Sequence, residues 1–144
     1  MKLLVAALLC IPGAALADEP WRVTVPESVD AEVDAPAAAS LAISVRDGYT
    51  ISRDGPVVID LHADPPAALT LPRRRLQRRD AADAQADAPR FDLRFKARAE
   101  GDHHLLATVR FWLCAHRTCR PVRTSAAVTV HAHKPAPPPP PPSP

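Results

Sequence analysis

Between Arg90 and Arg98 the sequence alternates without a break. Phe91, Leu93, Phe95 and Ala97 fall on one side, and Arg90, Asp92, Arg94, Lys96 and Arg98 on the other. A helix would scatter these residues around its circumference. A strand sorts them, because successive side chains point to opposite faces. Such a strand has one face on a core and one face in water, as antiparallel sheets commonly do. Glu100-Gly101-Asp102 then reads as a turn, and the alternation resumes. Leu105, Ala107, Val109, Phe111 and Leu113 point inward; Thr108, Arg110 and Trp112 point outward.

The same period recurs elsewhere. Leu41, Ile43 and Val45 alternate with Ala42 and Ser44, and Val57, Ile59 and Leu61 alternate with Val58, Asp60 and His62. Ala126, Val128 and Val130 repeat it near the end, and Trp21 to Val25 reads as a possible first strand. Asp30 to Ala39 is small and acidic, with weak signals. Pro65 to Pro89 reads as a long excursion between strands, without an apolar stripe to bury a helix. It carries five arginines from Arg73 to Arg79. These suit either a solvated loop or a polyanion site. With turn chemistry between short strands and no sustained helical period, the expected fold is all-β. It is an antiparallel, immunoglobulin-like β-sandwich of about six or seven strands in a single domain.

The ends set the expected compartment. Met1-Lys2, the apolar run Leu3 to Ile11, the break at Pro12-Gly13 and the small residues Ala15 and Ala17 have the layout of a signal peptide cleaved after Ala17. Cleavage removes Cys10, leaving two of the three cysteines in an exported chain, periplasmic or secreted. The expected organisation is a signal peptide over 1–17, an N-terminal segment over 18–39, the sandwich over 40–133 and a proline-rich tail over 134–144. Six consecutive prolines make that tail a stiff polyproline II segment, exposed at the terminus or serving as a spacer or a groove ligand. No apolar run in the mature chain is long enough to span a membrane. The formal net charge of +2 does not argue for a nucleic-acid partner. No glycine-rich phosphate loop and no serine or carboxylate constellation is present, and no cofactor is implied.

The chemistry concentrates in FWLCAHRTCRP, residues 111–121. If Cys114 and Cys119 oppose each other across a four-residue turn, their Cα atoms lie about 4.5–5.5 Å apart, within disulfide range. Alternation puts Cys114 on the outward side with Trp112 and Arg110. A bridge enclosing so short a loop contributes only about 2 kcal/mol. His116, Arg117 and Arg120 stand close enough in sequence to stabilise a thiolate. Three uses remain open: a structural staple, a reversible redox pair and a metal clip. The histidines bear on the third. In the register that pairs Cys114 with Cys119, His131 falls opposite Asp102, about 40 Å from the cysteines. Asp102, His104, His131 and His133 would then share one face at the far end of the hairpin, a candidate zinc or copper cluster.

The stretch from Leu105 to Val130 resembles the carboxy-terminal half of the amino-terminal periplasmic domain of DsbD, the thiol:disulfide interchange protein. The shared pattern is Phe111-Trp112-Leu113-Cys114, four residues, then Cys119-Arg120-Pro121 and a closing strand. Upstream, Gly48-Tyr49-Thr50-Ile51 with Pro56 is similar to the family's Gly-Tyr-His-Ile-Asn stretch and its proline. Thr50, Ser52 and Val122 depart from the family's usual histidine, asparagine and second proline. The resemblance implies an immunoglobulin-like domain with a reversible Cys114–Cys119 disulfide. That pair would take electrons from one partner thiol and pass them to another. The expected partner is a thioredoxin-like or other periplasmic redox protein; the family's own electron-supplying domains are not expected here, so the donor is expected to be a separate protein. The competing expectations are a non-catalytic sandwich binding module with a structural disulfide, and a histidine-based metal-handling protein.

Overall fold

The computed structural model describes residues 18–140. The expected signal peptide with Cys10, and residues 141–144 of the tail, lie outside the described residues. The strands in chain order are β1 (Trp21–Thr24), β2 (Ser28–Glu32), β3 (Pro36–Val45), β4 (Tyr49–Ile51), β5 (Val58–Asp64), β6 (Leu69–Thr70), β7 (Arg75–Gln77), β8 (Arg90–Ala97), β9 (Gly101–Ala115) and β10 (Thr118–His133). One turn of 3₁₀ helix spans Arg78–Asp80. Residues 134–140 carry no regular element.

The strands form two sheets. The smaller runs β1-β3-β8-β6, and the larger runs β2-β10-β9-β5-β7. β4 also pairs with β9, on the edge that β5 uses further along: β4 takes residues 113–115 and β5 takes 104–110. The inward residues of the two sheets meet in one core. Leu41, Ile43, Phe91, Leu93 and Phe95 come from the smaller sheet, and Ile59, Leu61, Leu105, Val109, Phe111 and Leu113 from the larger, all at 2% exposure or less. Each such side chain contributes about 1.5–3 kcal/mol on leaving water, so these two alternating faces supply the main favourable energy. His103 shares the inward side of β9, where its Nε2 lies 2.8 Å from the Ala99 carbonyl. That contact satisfies a buried polar group that would otherwise destabilise the core.

The long hairpin organises the larger sheet. β9 and β10 pair in a single unbroken register from Ala115↔Thr118 to Gly101↔Ala132. The expected pairing of Cys114 with Cys119, and of Asp102 with His131, lies in that register.

The sandwich holds more strands than the alternation announced. The weakly marked segment Asp30 to Ala39 supplies most of β2 and the start of β3. Its inward residues, Ala31 and Ala39, are alanines, which carry little strand propensity of their own. Pairing decides them. β2 lies parallel to β10, from Ser28↔Thr129 to Glu32↔His133; the other strand pairs are antiparallel. Asp34 takes φ 64° in the β2–β3 turn, a conformation that aspartate tolerates better than most residues. The excursion from Pro65 to Pro89 also contributes short strands, β6 and β7, one to each sheet. Its arginine run is largely committed: Arg73 pairs with Asp80, Arg75 Nε donates to Asp60 at 2.6 Å, and Arg78 donates to the carbonyls of Ser52, Ala84 and Ala86. Buried Ala68, Leu69 and Leu76 anchor the excursion in the core, and these pairings let its arginines lie along the sandwich.

Candidate functional site: the hairpin disulfide and the face around it

Cys114 and Cys119 are bonded, with S–S 2.02 Å and Cα atoms 4.0 Å apart. They are directly opposed near the tip of the β9–β10 hairpin. The Cα separation is shorter than the 4.5–5.5 Å expected from sequence. The turn is also tighter. Ala115 still pairs with Thr118, leaving His116 and Arg117 as a two-residue connection. His116 takes φ 56°, the left-handed region that two-residue hairpin turns require. Both turn residues, among those expected to favour a thiolate, are exposed in the connection next to the bridge.

The sulfurs lie on the outer face of the larger sheet. The inward residues of β9 are buried through Leu113, and the outward series Arg110, Trp112 and Cys114 is exposed or half-buried. On β10 the outward series is Cys119, Pro121 and Arg123, all exposed, against buried Val122. The bridge therefore joins neighbours within one sheet, outside the core. It does not connect the two sheets. Thr50 on β4 stands on the other side of Cys114, so this cysteine is flanked by paired strands and Cys119 is the more open of the two.

Arg120 behaves differently from its expected role. Alternation places it on the opposite face from Cys119, and its guanidinium donates to Glu19 Oε2 at 3.1 Å. The carboxylate ahead of β1 thus takes up the cation nearest Cys119 in sequence. The spacing of Arg120 from Cys119 carried no hint of that, because the partner lies 101 residues away.

The setting of Trp112 leaves no local mark in the sequence. The residue is 38% exposed and stands opposite Pro121, one outward row in from the disulfide. The loop between β4 and β5 closes over it. Ser52 N donates to the Trp112 carbonyl at 2.9 Å, and Gly55 N donates to Ser52 Oγ at 2.9 Å. Arg78 Nη2 holds the Ser52 carbonyl at 3.2 Å, and Arg53 pairs with Asp87 at 2.9 Å. The excursion is thereby fastened to the loop beside the disulfide. Under this row, buried Phe111 meets Trp21 edge-on, with ring centroids 5.8 Å apart.

The third row inward is electrostatic. Asp60 on β5 accepts from Arg110 at 2.8 Å and from Arg75 at 2.6 Å. The hydrogen bond from Arg75 is the main reason that the Asp60 carboxyl titrates below the usual range. Arg123, opposite Arg110, has no ion-pair partner among the described residues.

At the far end of the hairpin, Asp102 and His131 meet: His131 Nδ1 lies 2.6 Å from Asp102 Oδ1. This hydrogen bond raises the pKa of His131 and lowers that of Asp102. His104 instead stands opposite Thr129, and His133 opposite Glu32. Among the described residues no three His, Cys, Asp or Glu side chains are grouped to hold a metal ion. No helix among them is long and apolar enough to cross a membrane.

No family model matches the chain, and no curated protein matches it. Among solved structures, it is similar to murine CRIg, with TM-score 0.42 and 8% identity over 79% of this chain and 98% of that one. It is also similar to AggA, the major subunit of aggregative adherence fimbriae type I from Escherichia coli. There the TM-score is 0.37 and the identity 9%, over 80% of this chain and 97% of that one. The all-β, two-sheet class of the chain stands on its own strand pairings.

Proposed function

We propose that the chain is an exported thiol–disulfide exchange module that passes electrons through Cys114–Cys119. The single observation that carries this reading is the position of the bridge. It lies on the outer face at a hairpin tip, joining two residues that the strand register already holds opposite each other. A bridge there adds only about 2 kcal/mol, while its open side suits an incoming thiolate. The resemblance of residues 105–130 to the amino-terminal domain of DsbD supports the same reading from sequence. So does the presence of His116 and Arg117 in the exposed turn next to the bridge.

The reaction balances as two exchanges. A partner thiolate attacks one sulfur of the bridge; the Cys114–Cys119 bond breaks, a mixed disulfide forms and the other cysteine leaves as a thiolate. A second thiol of the partner then displaces the bound cysteine. The partner leaves as a disulfide and this chain as a dithiol. The reverse sequence reduces a different partner. A thioredoxin-like or other periplasmic redox protein has the required pair of thiols.

One observation favours the second reading, a non-catalytic binding module with a structural disulfide. Arg120, a cation beside Cys119 in sequence, is engaged by Glu19 on the other face. The reduction potential separates the two. The protein is equilibrated with glutathione or dithiothreitol and its free thiols are trapped. The exchange reading requires a potential above about −250 mV, and a value below about −300 mV assigns the bridge to structure.

A further inference from the structure

The outer face of the larger sheet is ordered in rows across β9 and β10. The disulfide forms the first, Trp112 and Pro121 the second, and Arg110 and Arg123 the third. Two depressions follow these rows. One, of about 310 Å³, is lined by Pro56, Val58, Trp112 and Pro121 among others. The next, of about 600 Å³, is lined by Arg74, Arg75, Arg110 and Arg123 around a single carboxylate, Asp60. Arg110 and Arg123 line both, so the apolar depression and the basic one adjoin.

The charge of this face exceeds what its own carboxylate can neutralise. Asp60 is shared by Arg75 and Arg110, and Arg123 has no ion-pair partner among the described residues. Isolated surface arginines are ordinary. Here they are aligned, on one face, with the exposed indole and the bridge.

We propose that this face docks an acidic peptide segment of the partner protein, laid in extended form from the disulfide across Trp112 and Pro121 to Arg110 and Arg123. The proposal rests on the exchange reading for the identity of the partner, and on the groove alone for the binding. Two rows separate the disulfide from the arginines, which is four residues of strand, or about 13–14 Å. An extended occupant with its cysteine at the bridge therefore brings its carboxylates to the arginines about four residues away. An apolar side chain between them covers the indole. Complementary charge of this kind speeds encounter and selects the partner more than it tightens the final complex.

The test uses the full chain and two sets of synthetic peptides. The first set has serine in place of cysteine, with two glutamates, two glutamines or two lysines about four residues along. Binding to the oxidised protein is followed by amide chemical shifts. The glutamate peptide is expected to shift the amides of Arg110, Trp112, Val122 and Arg123 and to bind at least about 10-fold more tightly than the lysine peptide at low salt. The difference shrinks as salt rises from about 20 mM to about 0.5 M. Arg123→Glu, which breaks no ion pair, is expected to remove the preference. Equal binding of the three peptides, or shifts on another face, overturns the proposal. The second set restores the cysteine and measures exchange rates, with dithiothreitol as the uncharged control. A disulfide inert to every thiol, beside selective binding of the glutamate peptide, keeps the docking face and removes the exchange reading. Equal exchange with all three cysteine peptides keeps exchange and removes the docking face.

Discussion

Gly55 lies against the indole of Trp112: a Cβ at Gly55 would stand 3.0 Å from Trp112 Cδ1 and 3.1 Å from Cγ. Those atoms are near the root of the side chain, so the indole cannot yield by moving its far end. Ser52 Cβ, at 3.2 Å, closes the other side. Gly55→Ala is therefore expected to displace Trp112 or lift the loop. The cost is about 1 kcal/mol or less, because Trp112 is partly exposed and has to give by only a few tenths of an ångström. Urea unfolding followed by fluorescence reads both effects at once. An unchanged midpoint with an unchanged emission spectrum would mean that the loop does not rest on the indole.

Replacing both cysteines tests how much the fold leans on the bridge. The hairpin is closed by a two-residue turn and by fifteen register pairs that need no disulfide. Cys114→Ser with Cys119→Ser is expected to lower stability by about 2 kcal/mol and leave a folded sandwich. Far-ultraviolet circular dichroism and a urea titration measure this. A chain that no longer folds would make the bridge a structural requirement.

The bridge itself shows how far the sequence could be read. Alternation alone orients Cys114 outward, and one assumed pair, Cys114 with Cys119, places His131 opposite Asp102 at the distant end. Both follow because a strand repeats every two residues and an antiparallel hairpin has one register. Other features depend on contacts between distant segments. Glu19 reaches Arg120, β2 adds in parallel to β10, and Arg78 ties the excursion to Ser52. None of these leaves a local pattern. The alanines of β2 and β3 hid strands for a related reason: their burial comes from their neighbours, not from their own propensity.

The Asp102–His131 pair gives the fold a local pH dependence. The hydrogen bond to Asp102 holds the pKa of His131 above 6.5, with a smaller favourable contribution from Asp30 across the parallel pair. The stabilisation from His131 is complete when the imidazole is protonated, below about 6.5, and is lost as pH rises through the raised value. Asp102 acts in the opposite sense. Its pKa is depressed by His131 first, then slightly by His103 and His104, so its share is lost as pH falls through that lowered value. The pair is thus complete only between the two. In Asp102→Asn the His131 titration, followed by NMR, is expected to move back toward 6.5. A His131 titration that ignores the substitution would show that the pair does not persist in solution.

Phe111 and Trp112 are adjacent aromatic residues with opposite surroundings. Phe111 is 1% exposed and packs edge-on against Trp21, while Trp112 is 38% exposed on the outer face. Truncating Phe111 removes a ring from the core beneath the site and leaves a cavity between the sheets, so Phe111→Ala is expected to cost about 3–5 kcal/mol. Trp112→Ala removes a ring that water already reaches and is expected to cost about 1 kcal/mol or less. The exchange reading adds a second contrast. With the proposed docking across Trp112, Trp112→Ala is expected to slow exchange with a protein partner while leaving reduction by dithiothreitol unchanged. Urea midpoints and the two exchange rates, measured on both variants, test the pair together. Equal destabilisation by the two truncations would refute the placing of Phe111 in the core and Trp112 on the outer face.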